Sequence, residues 1–125
     1  MNDSGIFMGW TRTAPGEGAK AMQLYKHLDT YLRTLHAEGR IDRYDMVILG
    51  PNGGGVGGFV LIKGNREKLD TLRSSPEFRE ITVRGNTSLL GFSVVRAHFG
   101  DEVRQILGAY QRIAAESAGP APRWS

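Results

Sequence analysis

The chain has 125 residues, a net charge of +3 and a hydrophobic content of 40%. At about 100–200 residues per domain this is a single domain, and no apolar run approaches the roughly 20 residues that span a bilayer. The absence of cysteine excludes disulfides, thiolate nucleophiles and cysteine-held metals.

Twelve of the 16 cations are arginine, the better residue for bidentate grip on carboxylates and phosphates. They are scattered from Arg12 to Arg123 among acids, and no nucleic-acid motif stands out. Neither a nucleic acid nor a membrane is expected as a partner. Met1 to Gly18 has no basic stretch followed by an apolar one, so no secretory leader is expected. With no cysteine, a reducing, cytoplasmic location is the expectation.

Gly5 to Thr13 is rich in β-branched and aromatic residues and predicts a strand. Ala14-Pro15-Gly16-Glu17-Gly18 breaks it. From Ala19 to Glu38 the period changes. Ala21, Leu24, Leu28, Leu32 and Leu35 fall on one helical face, and Gly39 ends the helix. Ile41 to Leu49 predicts a second strand and Phe59 to Ile62 a third. The short glycine-rich loop between them implies an antiparallel hairpin.

Asn65 is a cap for a short helix carrying Leu69 and Leu72. Ser75-Pro76 restarts it, with Phe78 and Ile81 as apolar contacts, and this broken second helix runs to Val83. Leu89 to Phe99 predicts a fourth strand. Asp101 then caps a last helix with Val103, Ile106, Leu107, Tyr110 and Ile113 on one face. Residues 1–117 form the expected domain and 118–125 a tail.

The order is βαββαβ plus a C-terminal helix, with two βαβ halves over about 5–49 and 58–99. It predicts an α+β, ferredoxin-like architecture: a four-stranded antiparallel sheet, first and third strands central, helices on one face. Met46-Val47-Ile48-Leu49 and Phe59-Val60-Leu61-Ile62 offer apolar side chains to both faces. The helices cover only one. Either a second copy covers the other, which predicts a homodimer through the sheet, or the last helix folds over it.

Several motifs fail their context. Gly53 to Gly58 satisfies G-x-G-x-x-G, but a strand follows instead of the helix a pyrophosphate needs. The loop is a hairpin connection, or a flap over a ligand. His27 and His36 lie nine residues apart on one helix, so they point to opposite sides at about 100° per residue and cannot share a metal. No metal site is expected.

One constellation is chemically suggestive. Trp10 and Arg12 alternate on the first strand, and Arg96 and His98 on the fourth. If both pairs share a side, they form a pocket with an aromatic wall, two cations and a base. Trp10, Arg12 and Arg96 would bind a small aromatic or acidic molecule, and His98 would be the catalytic base. Otherwise Trp10 is core or dimer interface and the arginines reach solvent at the sheet edge. Tyr25, Tyr31 and Tyr44 could add a phenol or pack in the core.

With this element order, the helix ending Ala37-Glu38-Gly39-Arg40 and the break at Arg73-Ser74-Ser75-Pro76-Glu77-Phe78, residues 5–100 resemble the dimeric α/β-barrel superfamily. That resemblance implies two ferredoxin-like sheets packed face to face. It also implies a small-molecule-handling protein: a cofactor-independent monooxygenase or isomerase, or a non-catalytic ligand-binding or stress-response protein. Haem-degrading members place an asparagine on the first strand and a ligating histidine on the second helix. Here Trp10 sits in mid-strand and Asn65 to Val83 has no histidine, so no haem or other cofactor is expected.

Overall fold

A computed structural model of the chain describes residues 3–118. In chain order they form β1 (Asp3–Trp10), β2 (Arg12–Thr13), α1 (Gly18–Ala37), β3 (Arg43–Ile48), β4 (Gly58–Asn65), α2 (Arg66–Arg73), α3 (Pro76–Ser88), β5 (Leu89–Leu90), β6 (Ser93–Ala97) and α4 (Asp101–Ala118). The main sheet has the order β3-β4-β1-β6, antiparallel throughout. β1 and β4 are therefore central, as the βαββαβ order predicts.

Alternation decides what is buried. Ser4, Ile6, Met8 and Trp10 of β1 and Val60 and Ile62 of β4 are buried beneath the helices. Ala21, Leu24, Leu28, Leu32 and Leu35 of α1, Leu69 and Leu72 of α2, and Phe78 and Ile81 of α3 meet them. Each fully buried Leu or Ile contributes about 1.5–3 kcal/mol. Two helix starts are set as expected, whereas Asp101, expected to cap the last helix, is instead its first residue and pairs with Arg104 of the same turn. The side chains of Asn65 and Ser75 accept the backbone N–H of Lys68 and Phe78 at 3.2 and 3.3 Å, caps worth about 1 kcal/mol each.

The other sheet face is uncovered by any of the described residues. Phe7 stacks on Phe59 at 5.5 Å, flanked by its register partners Leu61 and Val95. Val95 is 49% exposed. At one end the Lys63 ammonium lies 5.3 Å from the Phe99 ring, which covers Gly5. α4 does not close this face; its Leu107, Tyr110 and Ile113 remain exposed.

Several boundaries differ from those predicted: β4 runs on to Asn65 and β3 begins only at Arg43, and three further differences have a visible setting. The first strand does not run on to Thr13. Thr11 N–H donates to Leu90 O and Gly57 N–H to Trp10 O, both at 2.8 Å. A side chain at Gly57 would strike the Thr11 carbonyl. One at Gly91, whose φ is +66°, would strike the Thr11 hydroxyl. This crowding turns the chain out of the sheet, and β2 pairs instead with β5. The predicted fourth strand is split at Gly91 for the same reason. Finally, α3 passes Val83 to reach Ser88, and its Gly85 leaves room for the Phe92 ring. α4 includes Ala118; the rest of the predicted tail, 119–125, lies outside the described residues.

Tyr31 of α1 is half-buried, and its hydroxyl lacks a hydrogen-bond partner among the described residues. The nearby Ser75 hydroxyl is committed to Leu72 O and Phe78 N. Burial raises the Tyr31 pKa above its ordinary 10.0. The unfolded chain therefore loses this proton first, and the phenol's contribution to stability falls as pH rises beyond that value. Tyr31→Phe should change stability near neutrality by less than about 1 kcal/mol. It should also flatten the loss of stability at alkaline pH, as read by urea denaturation from pH 7 upward. An equally steep alkaline loss in the variant would refute this role for the phenol.

Candidate functional site

Gly58 has no side chain, so the Trp10 indole lies across it, beside Ile48 in the next strand. The other partner of the indole is Tyr25, stacked at 5.5 Å. Trp10 is only 4% exposed. Here the first turns of α1 stop short of the sheet's end. Ile48 is left 63% exposed and Met22 53% exposed.

The result is a cleft of about 380 Å³ lined by Trp10, Thr11, Arg12, Thr13, Met22, Tyr25, Ile48 and Gly57. Arg12 is exposed at its rim, and among the described residues no carboxylate lies within 4 Å of its guanidinium. Chemically this is an apolar and aromatic slot with one free cation.

The glycine-rich loop beside it is held in place. Asn52 donates through its amide to Gly50 O and Val56 O, and accepts from Gly54 N–H. The Thr11 hydroxyl donates to Gly55 O at 2.8 Å. These bonds fix the loop as a shaped wall and argue against a free flap.

Arg96 and His98 do not join Trp10 and Arg12 within one chain. Arg96 pairs in register with Ile6, and its guanidinium donates to Ser4 Oγ at 3.1 Å and Asp70 Oδ1 at 2.6 Å. Ser4 is six residues from Trp10 along β1, about 20 Å at strand rise. Alternation does place Trp10 and Arg96 on the same, helix-covered face. Distance along the strand separates them. His98 lies beyond the end of β6, and its Nδ1 is 2.7 Å from Glu102 Oε1 of α4. Glu102 also faces Arg66 at 3.8 Å. Arg12 leaves the Trp10 face because β1 ends before it. The i, i+4 spacing of His98 and Glu102 is a sequence signal that alternation alone overlooks. Met22 and Ile48 carry no signal beyond being apolar.

Other depressions are less suited. The groove between α1 and α3, about 430 Å³, has its Arg84 tied to Glu80 and its Lys20 facing Glu17. The polar cavity at the start of α4, about 500 Å³, has Arg66 and Arg104 paired with Glu102 and Asp101. A groove of about 330 Å³ between α3 and β6 does hold Arg73 and Arg79 without carboxylate partners among the described residues. Its polar Thr82, Asn86 and Ser93 make it a less apolar seat. Among the described residues no group of three or more His, Asp or Glu side chains converges as a metal site. No helix among them is long and apolar enough to cross a membrane.

No family model matches the chain, and no curated protein is similar to it. Solved structures are. A dimeric ferredoxin-like protein of unknown function from Thermobifida fusca YX aligns with a TM-score of 0.61 at 12% identity, over 79% of this chain and 93% of its own. One from Bacteroides fragilis NCTC 9343, also described as dimeric, gives 0.58 at 9% identity over 79% and 98%. Another from Jannaschia sp. CCS1 gives 0.58 at 16% identity over 78% and 99%. The fold is ferredoxin-like. At these identities the likeness is one of architecture, and the chemistry of this ferredoxin-like chain rests on its own side chains.

The Arg96 contacts generate a direct test. Arg96→Ala removes a bond to buried Ser4 and a half-screened ion pair to Asp70, and should destabilise the fold by about 1–2 kcal/mol. Chemical denaturation with and without salt would measure this. A neutral variant would mean that Arg96 does not anchor α2 to the sheet.

Proposed function

We propose that this ferredoxin-like chain works as a homodimer, joined through its uncovered sheet face, that binds a small acidic or aromatic metabolite. The dimer is supported by the apolar strip of Phe7, Phe59, Leu61 and Val95, which nothing among the described residues covers. Such a strip on a monomer is an association surface. The similar structures described as dimeric agree with this reading. The ligand reading rests on one observation: a partner-free guanidinium, Arg12, at the rim of a cleft walled by Trp10, Tyr25, Met22 and Ile48. An anionic group would pair with Arg12, and the apolar part would lie against Met22 and Ile48. Trp10 would shape the wall from behind Tyr25.

A catalytic version, a cofactor-independent monooxygenase or isomerase, would need a base beside the ligand. His98, the base expected from sequence, is engaged with Glu102 near the opposite end of β1. Arg96 is engaged there too. The separation favours binding without turnover, as in a ligand-binding or stress-response protein, over acid–base chemistry at this cleft.

Two measurements test the reading. Sedimentation equilibrium should find a dimer, and Phe59→Asp should convert it to a folded monomer. Phenylacetate, followed by NMR titration, should shift resonances around Met22 and Ile48. Arg12→Gln should weaken that binding about 10-fold or more, the value of a charge-assisted hydrogen bond. Loss of binding in Arg73→Gln/Arg79→Gln but not in Arg12→Gln would move the ligand to the α3–β6 groove and overturn the assignment. No shift with phenylacetate at millimolar concentration would overturn the ligand class.

A further inference from the structure

Among the described residues, the apolar stripe of α4 has no surface to pack against. Val103, Leu107, Tyr110 and Ile113 follow one another at three- and four-residue spacing, and are 37%, 55%, 67% and 58% exposed. An isolated helix of this length is marginal in water, so such a stripe gains its stability from a surface it packs against. That surface is not the sheet of its own chain.

Where α4 begins bears on what covers it. β6, a sheet edge, feeds it through Phe99 and Gly100. The Phe99 ring lies over Gly5, on the uncovered side of the sheet, close to Lys63. The helix therefore starts from the rim of the face that the proposed dimer uses.

Area makes the same point. Four strands about 4.8 Å apart and about 20 Å long give a footprint of about 400 Å². Stable interfaces need about 600–1,000 Å² per partner. One side of α4, about 27 Å by 10 Å, adds about 270 Å². A flat footprint is a lower bound on the accessible area buried, and α4 enlarges that footprint by about two-thirds.

We propose that α4 is the second half of the homodimer interface, its Val103–Ile113 stripe packing on a second copy of this chain beside the paired sheets. The proposal rests on the homodimer reading and deepens it. Hydrogen exchange on the full chain is the first test. Amides of α4 should be protected at concentrations where the dimer is complete, and should lose protection on dilution. Leu107→Asp and Tyr110→Asp should each weaken dimerisation about 30-fold or more, as expected for centrally buried anchors. Circular dichroism of each variant's monomer should match that of the wild-type monomer.

A complete dimer in which α4 exchanges freely, or in which both variants dimerise like the wild type, overturns the inference and leaves the homodimer standing. Protection of α4 that does not depend on concentration means it folds back on its own chain, and also overturns it. A wild-type chain that stays monomeric at millimolar concentration removes the homodimer reading, and this inference with it.

Discussion

Everything in this molecule depends on a sheet whose helices lie on one side. The even positions of β1 point into a core shared with α1, α2 and α3, and include Ile6, Met8 and Trp10. The odd positions point outward, and Phe7 there is stacked on Phe59. A strand's period of two allows no compromise between these sets. The two sides are consequently different materials: one a closed apolar core, the other an aromatic strip awaiting cover.

The same constraint sorts the arginines. Arg96 enters the helix-covered side, where a guanidinium is tolerated only with partners, and it finds Ser4 and Asp70. Arg12 stands just outside the sheet and has no such obligation. Of two arginines that look alike in the sequence, one is committed to holding α2 and the other is free to meet a ligand. The histidine follows a similar rule. His98 lies one residue past the end of β6, where alternation no longer governs, and it turns to the first turn of α4.

Long periodic segments were the most legible part of the chain. The buried face of α1, the caps at Asn65 and Ser75, and the central placement of β1 and β4 all follow from local signals. What was not legible came from contacts distant in sequence. Thr11 leaves the sheet because Gly57 and Gly91 press on it from two other loops. No local propensity announces that. The candidate site was half legible. Trp10 and Arg12 do line one cleft, but Met22 and Ile48 enter it because the first turns of α1 leave them uncovered. Alternation gave Arg96 the correct face and could say nothing of its distance along the strand.

The clasp around Thr11 has a practical side. Glycine-rich loops at hairpin tips are usual places to splice in foreign peptides or tags, since exposed tips with small residues tolerate insertion. This one is a poor choice. Gly55 and Gly57 are bonded to Thr11 and Trp10, and Asn52 organises the turn between them. Added residues would loosen the seam between the main sheet and the β2–β5 ribbon.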